Sequence, residues 1–524
     1  MTIFQLLLRP LFTRLDSGLA AIFGTSWNPL HNLGALGFFF YWIVAATGIY
    51  IYIFFDTGIT EAYESVAYMT DEQWYLAGVM RSLHRYASDA LVAVMVIHVL
   101  REYAYDRYRA SRWFTWVTGV PIIALVLASG ITGYWLVWDQ LAQYIATATT
   151  EWLDWLPIFG EPIARNFMTP DALDDRFFSL LVFLHIAIPL FLLLALWLHL
   201  QRVSRARYNP PRGLAVSAFV ALLALSLILP ATSHAPADLG VVPALLNLDW
   251  FYLGFYPLLD YWSHGLIWAT VALLTLLVSA MPWLPPFKRP AAARVNLENC
   301  NGCARCADDC PHNAITMSVR SDGKPFEREA AVDASLCTSC GICAGSCPTS
   351  TPFRRASELA PGIDLPDSPL ANLRDRIDAQ RSAKIHVVTC GHSIRPEMLK
   401  TAGVSVESVP CIGALPPSFI DYLLSRTEAD GVFLAACGGG GCQYRLGVQW
   451  TEERIAGNRD PALRKRVPRE RIHLGHFSSH QSTLANRALE AFRQRLEALP
   501  QSAKPGLDDL APRLHSRQRE TNDA

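Results

Sequence analysis

Four histidines of this 524-residue chain have a spacing that would allow them to bind metal-containing groups. His84 and His98 lie in one apolar stretch, His185 and His199 lie in another, and the interval within each pair is 14 residues. On an α-helix this interval places both histidines on one face, about 21 Å apart. Two such helices facing each other would offer two histidine pairs at two depths, as bis-histidine ligation of two stacked haems requires.

Glycines at the same interval support this interpretation. Gly34 and Gly48 lie in one neighbouring apolar stretch, and Gly119 and Gly133 lie in another. A single membrane histidine is better explained as a polar residue bonded to a neighbouring helix. Four at a repeated interval favour function, because polar groups in lipid are costly. Glycine would permit the close approach of a flat macrocycle.

Eight of the twelve cysteines form two runs of the pattern C-x2-C-x2-C-x3-C-P. In this pattern three close cysteines bind one 4Fe-4S cluster and the fourth binds the other cluster. Zinc sites usually use two separated cysteine pairs, so the unbroken runs disfavour zinc. The first predicted cysteine set is Cys300, Cys303, Cys306 and Cys347. The second predicted cysteine set is Cys337, Cys340, Cys343 and Cys310.

The four remaining cysteines are Cys390, Cys411, Cys437 and Cys442. Two of them end short apolar runs, KIHVVTC and ADGVFLAAC, which are typical of buried strands. A helix-like segment lies between the runs, so we predict a small α/β module. The glycine run before Cys442 lacks the spacing of a dinucleotide-binding loop, and cysteines on both sides favour a backbone wrapped around a metal cluster.

The histidines require membrane helices to position them. The chain is 51% apolar and 17% charged, with the apolar residues concentrated in its first 285 positions. Apolar runs predict an all-α bundle of six transmembrane helices. The predicted spans are 31–54, 76–101, 114–138, 177–200, 213–231 and 257–283.

Loop charges predict the direction of these spans. Arginines and lysines follow the second, fourth and sixth spans, so those ends should face the cytoplasm of a bacterial-type inner membrane. Both termini are then cytoplasmic, His84 and His185 lie toward the outer surface, and His98 and His199 lie toward the cytoplasm. A net charge of −1 argues against nucleic acid as a partner.

Composition divides the chain into six predicted segments. Residues 1–30 form an amphipathic helix on the lipid surface, and residues 31–290 form the transmembrane domain. An α+β module spans 294–350, a polar linker spans 351–383, and the α/β domain spans 384–500. The tail, 501–524, is too polar to bury a core and should be disordered.

Residues from about 1 to 200 resemble the cytochrome b subunit of bc complexes and its photosynthetic counterpart. The likeness rests on the histidine and glycine spacing and on the motifs RSLHR at Arg81 and GYWLVWDQ at Gly133. It implies two haems b, one held by His84 and His185 and the other by His98 and His199. It also implies that Arg81 binds a haem propionate and that the chain forms a homodimer within a larger complex. The photosynthetic relatives attach an extra haem through a cysteine, and Asn32 stands at that position here.

The segment from Ala235 to Leu259 resembles the loop that shapes the outer quinol-oxidising pocket of this family. The family's Pro-Glu-Trp-Tyr signature is replaced by Leu248-Asp249-Trp250-Phe251. The resemblance implies a quinone site in which Asp249 accepts a proton, although its side chain is one methylene shorter than glutamate. Loss of the proline also frees the backbone. A lipid-facing loop without quinone is the alternative.

Two further resemblances concern the cysteines. Residues 294–350 are similar to bacterial two-cluster ferredoxins. The segment from Lys384 to about Gly457 resembles the delta subunit of methyl-viologen-reducing hydrogenases, by VPCIGALPPSFI and ADGVFLAACGGGGCQYRLG. The latter implies one 2Fe-2S cluster on the four remaining cysteines, with zinc as the alternative. It also implies a flavoprotein partner.

These parts together predict a membrane-bound electron-transfer subunit of a quinone-linked oxidoreductase. It would relay electrons between a cytoplasmic partner and the quinone pool. Cofactors carry such chemistry, and the protein fixes their order and potentials. Two alternatives stay open: a membrane anchor and electron conduit without its own quinone site, and a redox sensor.

Overall fold

The computed structural model describes residues 3–158, 175–203, 206–243, 245–285, 290–353, 361–399, 401–438, 442–479 and 481–499. The chain divides into two compact units, Met1–Pro286 and Phe287–Ala524. The predicted disordered tail, 501–524, and part of the predicted linker lie outside the described residues.

The first unit is helical. Its helices are α1 (Ile3–Trp27), α2 (Leu33–Phe54), α3 (Glu61–Asp71), α4 (Val79–Ala104), α5 (Trp113–Val137), α6 (Gln140–Asp154), α7 (Asp175–Leu200), α8 (Arg212–Ile228), α9 (Tyr256–Tyr261) and α10 (His264–Ala280).

Five helical segments among the described residues are long and apolar enough to cross a membrane. They are Leu33–Phe54, Trp74–Ala104, Ala110–Val137, Asp175–Leu200 and His264–Trp283. They correspond to five of the six predicted spans, although the last is shorter than predicted because α9 forms a separate helix. The span predicted at 213–231 corresponds to α8, which has 17 residues and is about 25 Å long. Helix α8 lies between Pro211 and Pro230, and proline disfavours helix in the residue before it.

The four histidine-bearing and glycine-bearing helices form two adjacent pairs. Helix α2 packs along α4, and α5 packs along α7. The hydroxyl of Tyr41 on α2 donates a hydrogen bond of 3.0 Å to the carbonyl of Pro189 on α7. These contacts hold the glycines of α2 and α5 against the histidines of α4 and α7.

Helix α1 satisfies backbone groups at the end of α4. The Nε of Arg9 donates to the carbonyl of Ala104 at 2.7 Å, and Nε2 of Gln5 donates to the carbonyl of Tyr103 at 3.0 Å. The last carbonyls of a helix have no partner within it, so side chains that donate to them stabilise its end. The N-terminal helix therefore caps the helix that carries His84 and His98.

The second unit contains eight strands and six helices among its described residues. The strands are β1 (Arg294–Val295), β2 (Ile315–Val319), β3 (Arg328–Val332), β4 (Ile363–Asp364), β5 (Ile385–Cys390), β6 (Val404–Val409), β7 (Gly431–Cys437) and β8 (Ile472–Phe477). The helices are α11 (Arg305–Asp308), α12 (Ile342–Ser346), α13 (Leu370–Asp378), α14 (Pro417–Arg426), α15 (Gly447–Ala456) and α16 (Ser482–Glu497).

Strands β5 to β8 form one parallel sheet in the order β6-β5-β7-β8. Every residue of β5 and β7 is buried, as expected for central strands covered on both faces. Helices α13 and α14 contribute to the core on one face, and α16 contributes to the core on the other. Cys390 and Cys437 end the two central strands, so both lie at the carboxyl edge of the sheet.

The segment expected to be a linker contributes to this core. Its described residues include strand β4 and helix α13, and β4 pairs with β1. Leu370, Leu373 and Ile377 of α13 are buried in the cluster that contains Val388 and Leu423. Their spacing of three and four residues forms an apolar helix face, which is hidden in the sequence by the charged residues between them.

His386, on β5, should make the sheet sensitive to acid. Its side chain is 1% exposed, and burial lowers its pKa to about 4 from 6.5. In the unfolded chain the imidazole binds a proton below about pH 6.5, whereas the folded sheet keeps it neutral, so stability falls as the pH decreases toward 4. The loss should reach about 3 kcal/mol below pH 4.

Amide hydrogen exchange of residues 385–390 between pH 7 and 4 measures this effect. His386→Leu should flatten the pH dependence of protection, because leucine does not titrate. Equal loss of protection in the variant and the parent would contradict the prediction.

Candidate redox centres

Each of the four histidines faces one of the four predicted glycines. A Cβ atom added at Gly48 would lie 3.0 Å from Cε1 of His84, and one at Gly133 would lie 2.9 Å from Cε1 of His185. The corresponding distances are 3.3 Å from Gly119 to His199 and 4.0 Å from Gly34 to His98. The glycines therefore admit the imidazole rings themselves, a contact that the sequence interpretation, which assigned them to the macrocycle, had not included.

A threonine beside the glycine binds the ring nitrogen in three of these contacts. The distance from Thr47 Oγ1 to His84 Nδ1 is 3.1 Å, and that from Thr132 Oγ1 to His185 Nδ1 is also 3.1 Å. Thr118 Oγ1 lies 3.3 Å from Nδ1 of His199. We call each of these glycines, together with the residue before it, a histidine seat. The dipeptide Thr-Gly at 47–48, 118–119 and 132–133 was the sequence signal for three of the seats, and sequence reasoning missed it. Leu33 stands at the matching place before Gly34.

His84 Nδ1 must carry the proton of its ring. It lies 3.0 Å from the carbonyl oxygen of Val44, and a carbonyl can only accept. The hydroxyl of Thr47 donates to the carbonyl of Ile43 at 2.7 Å, which leaves its oxygen able to accept from the same ring. This tautomer leaves the lone pair of Nε2 available for a metal.

The structure brings His84 and His185 together. Their ring centroids are 6.4 Å apart, with an angle of 59° between the ring planes. Two imidazole nitrogens each about 2 Å from one metal place the ring centroids about 6 Å apart. His98 and His199 also lie near each other. Both predicted pairs are therefore neighbours, and the first fits one metal atom between its rings.

Arg81 lies one helical turn before His84. Its guanidinium donates to the hydroxyl of Thr70 and, at 2.8 Å, to that of Ser233. Both partners are neutral, and a guanidinium has five N–H donors. The group can thus take an anionic oxygen in addition, as the predicted contact with a haem propionate requires.

Asp249 is buried among polar groups rather than exposed to lipid. Its carboxylate accepts hydrogen bonds from the hydroxyl of Tyr134 and, at 2.8 Å, from the N–H of Phe251. The guanidinium of Arg85 lies 3.8 Å from Oδ2. A fourth neighbour is Asp89 on α4, whose carboxyl group lies close to that of Asp249.

Sequence reasoning missed Asp89, although an acidic residue inside an apolar span was a signal for function. One Asp89 oxygen, Oδ1, is buried without a hydrogen-bond partner among the described residues. Asp89 and Asp249 therefore place two carboxyl groups next to each other, near the guanidinium of Arg85.

Each predicted 4Fe-4S cysteine set lines one cavity of the second unit. One cavity is lined by Cys300, Cys303, Cys306 and Cys347. The other is lined by Cys310, Cys337, Cys340 and Cys343. The fourth cysteine of each run thus reaches the cavity of the other run.

The chemistry of these thiols fits a metal cluster. Burial raises the pKa of Cys306 and of Cys340 to about 12. Such thiols stay protonated at neutral pH unless a metal stabilises the thiolate. Backbone N–H groups also point at the sulfurs, from Ala314 to Cys310 at 3.2 Å and from Ala293 to Cys337 at 3.5 Å. Hydrogen bonds to sulfur tune the potential of iron–sulfur clusters.

The other four cysteines form a closed group at the carboxyl edge of the sheet, which we call the cysteine ring. The sulfurs of Cys390 and Cys437 are 3.1 Å apart. Hydrogen bonds with Cys411 and Cys437 lower the pKa of Cys390 and of Cys442. Four adjacent, buried sulfurs are the donor set of a four-coordinate zinc ion or an iron–sulfur cluster. Most of the glycine run, 439–441, lies outside the described residues.

Comparison with known families finds a match for each of three successive regions of the chain. Residues 22–206 match the model of the cytochrome b/b6/petB family. Residues 299–351 match the 4Fe-4S dicluster domain, and residues 397–500 match the delta subunit of methyl-viologen-reducing hydrogenase. The chain is similar to three families in succession. The three resemblances predicted from the sequence are thereby confirmed.

The matched ranges cover nearly all of the candidate ligands. The cytochrome b range contains the four histidines, and the dicluster range contains both cysteine sets. The delta-subunit range begins after Cys390, so only three cysteines of the ring lie within it. A cytochrome b sequence implies haem b, and the dicluster domain implies 4Fe-4S clusters.

A solved structure is also similar to part of the chain. It is described as a hyperthermophilic respiratory Complex III, and the similarity covers 49% of this chain and 77% of that one. The sequence identity is 20% and the TM-score is 0.38. The family matches, together with the apolar helices, support an integral membrane protein that acts as an electron-transfer subunit of the oxidoreductase type.

The histidine seats lead to a prediction that a measurement of haem content can test. Gly133→Val should displace His185 and lower the haem content from about two to about one per chain, because a larger side chain overlaps the imidazole. Purified protein and the pyridine haemochrome spectrum suffice for the measurement. Gly37→Ala is the control, since a Cβ there meets Leu91 at an ordinary 3.6 Å. Full haem content in Gly133→Val, or an equal loss in Gly37→Ala, would contradict the prediction.

Proposed function

We propose that this protein is a membrane-bound electron-transfer subunit of a quinone-linked oxidoreductase. It relays electrons between a cytoplasmic flavoprotein and the quinone pool. The observation that carries the proposal is the presence, in one chain, of two pairs of neighbouring histidines and three groups of four neighbouring cysteines. A chain of this kind has ligands for a series of redox groups, and its chemistry is that of the groups it binds.

The bound groups are two haems b, two 4Fe-4S clusters and one 2Fe-2S cluster, and they supply one-electron oxidation and reduction. The protein holds and orients them. Thr47 and the Val44 carbonyl fix the His84 tautomer, Gly48 and Gly133 admit the rings, and Arg81 offers N–H donors to a propionate. Backbone N–H groups stabilise the cysteine sulfurs.

Asp249 and Asp89 form the proton-handling part of the quinone site. Oxidation of a quinol releases protons as well as electrons, so the site needs a group that can accept a proton. Two neighbouring carboxyl groups favour the uptake of a proton, because protonation of one relieves the repulsion between two negative charges. Tyr134 orients the Asp249 oxygen through its hydrogen bond.

The membrane arrangement is part of the same proposal. Helix α8 is the remaining span of a six-helix bundle in a bacterial-type inner membrane, with both termini and the cysteine groups in the cytoplasm. His98 and His199 then hold the haem nearer the cytoplasm. The protein acts as a homodimer within a larger complex, in contact with lipid.

One observation favours a second candidate, an electron conduit without its own quinone site. Both oxygens of Asp249 already accept hydrogen bonds, and the side chain is almost fully buried. In this candidate the hydrogen-bonded carboxylate of Asp249 anchors the loop and takes no part in proton transfer. The two candidates differ in whether Asp249 takes part in quinol oxidation.

Reduction of the haems by a quinol distinguishes them. A short-chain quinol added to the purified oxidised protein should reduce the haems, which is measured as a change in their absorbance bands. Asp249→Asn should slow this reduction at least about tenfold, because general-base catalysis is lost. Asp238→Asn, in an exposed part of the same loop, is the matched control. Haems that do not respond to quinol would sink the main proposal. Haems that respond to a redox partner but not to quinol would favour the conduit. Unchanged quinol turnover in Asp249→Asn, together with its loss in His98→Ala, would show that the pocket at Asp249 is dispensable.

The cluster of the cysteine ring can be identified by metal analysis. Cys437→Ser should lower the iron content by about two atoms per chain, together with the same amount of acid-labile sulfide. The iron of the two 4Fe-4S clusters should be unchanged, because Cys437 lines neither of their cavities. Loss of one zinc per chain, with iron unaltered, would show that the ring is a zinc site.

A further inference from the structure

The cysteine ring lies directly against the second cysteine set. Helix α12, which carries Cys343, packs on the short helix Ile412–Ala414 that follows Cys411. The approach is very close at two glycines of the dicluster module. A Cβ atom at Gly345 would overlap the carbonyl oxygen of Gly413, and one at Gly341 would lie 2.8 Å from Cβ of Ala414.

One side chain fills the space between the two groups of cysteines. Ile342 is completely buried and forms one cluster with Cys340, Cys411 and Trp450. It comes from the dicluster module, whereas Cys411 and Trp450 belong to the delta-subunit-like domain. The first cysteine set has no member in this cluster; its cavity is lined instead by residues such as Met317 and Ala330.

A buried ion triad joins the same two parts of the chain. Asp309, the residue before Cys310, pairs with the guanidinium groups of Arg454 and Arg459. Arg454 is 1% exposed, and its Nη1 donates to the carbonyl of Gly413 at 3.1 Å. Arg459 lies over the ring of Trp450, 4.3 Å from its centroid. Arg454 therefore contacts both the residue next to Cys310 and the turn next to Cys411.

We propose that Asp309, Arg454 and Arg459 are positioning residues that clamp the cysteine ring to the second cysteine set. Ile342 is the contact between them. Resting on the proposed function, this assigns the second set, rather than the first, as the electron neighbour of the ring. When both sites are loaded, the electron lost by one cluster is gained by the other.

Burying an ion pair costs desolvation free energy. The pair stabilises a contact between two domains only when its geometry is good and additional hydrogen bonds satisfy the remaining polar atoms. Here the carboxylate of Asp309 receives two guanidinium groups, and Arg454 gains a backbone carbonyl as well. The glycines at 341 and 345 remove the side chains that would separate the backbones. Charge, hydrogen bonding and shape thus all favour one fixed contact rather than a flexible tether.

The chain contains a matched control for the clamp. Asp421 on α14 is fully buried and pairs with Arg464 at 3.1 Å and Arg466 at 2.8 Å. This second triad has the same composition, one aspartate and two arginines, but its ion pairs lie within the delta-subunit-like domain. Asp309→Asn and Asp421→Asn therefore remove the same charge from the same unit.

The test is electron paramagnetic resonance of the reduced full-length protein. Two paramagnetic clusters in close contact split or broaden each other's signals, so the parent should show this interaction between the ring and one 4Fe-4S cluster. Asp309→Asn should reduce it, Asp421→Asn should retain it, and iron content should be the same in both. Arg454→Lys should give an intermediate result, because lysine keeps the charge but not the guanidinium's separate bonds to Asp309 and Gly413.

Hydrogen exchange supplies a readout that does not depend on which metal the ring binds. Asp309→Asn should increase exchange at least about tenfold in residues 341–347 and 411–415, and Asp421→Asn should leave these segments unchanged. Unaltered exchange in Asp309→Asn, or the same increase in Asp421→Asn, overturns the proposal. Failure of the proposed function would show itself separately, as haems that do not respond to quinol while the exchange difference persists.

Discussion

Polar side chains buried away from water must find partners, and this requirement decides the packing around many of the candidate ligands in both units. The imidazoles of His84, His185 and His199 meet threonine hydroxyls. The buried thiols of the second unit meet each other or backbone N–H groups. The carboxylates of Asp249 and Asp309 meet tyrosine or arginine. Each ligand is thereby held in one orientation before any metal is considered.

The histidine seats are not equivalent. Three of them combine a glycine, which leaves space for the ring, with a threonine, which binds its Nδ1. The seat of His98 has Leu33 and Gly34, and its glycine lies farther from the ring than the others do. The ring of His98 is therefore held by fewer polar contacts from the glycine-bearing helix. The two pairs therefore differ in the hydrogen bonding of their imidazole rings, which is a property that tunes the potential of a haem bound by histidine.

The sequence predicted most about features that depend on local spacing. The interval of 14 residues predicted which histidines share a helix face, and the cysteine runs predicted which thiols meet across a cavity. Apolar length predicted six membrane helices, five of which correspond to helical segments that are long and apolar enough to cross a membrane, and the three family resemblances followed from short motifs. Such features can be read because one element, or one loop, contains all the positions that matter.

Contacts between distant segments could not be read in this way. Asp89 meets Asp249 from 160 positions away, and Asp309 meets Arg454 only because two domains pack together. The charged residues within 370–378 indicated a linker. In the structure this segment is a helix, and three leucine and isoleucine side chains on one of its faces are buried in the core. The length of α8 depends on prolines at both ends, which the hydropathy of 213–231 did not reveal.

The contact between Ile342 and Cys411 lies within one polypeptide, and this changes what is needed to maintain it. Two separate proteins must meet at cellular concentration and usually bury a large area to remain bound. Segments of one chain meet at an effective concentration in the millimolar range. A small, strongly charged contact with a single apolar side chain at its centre is then enough to stay occupied continuously. Fusion of the two modules thus allows an electron-transfer junction with no association step to limit its rate.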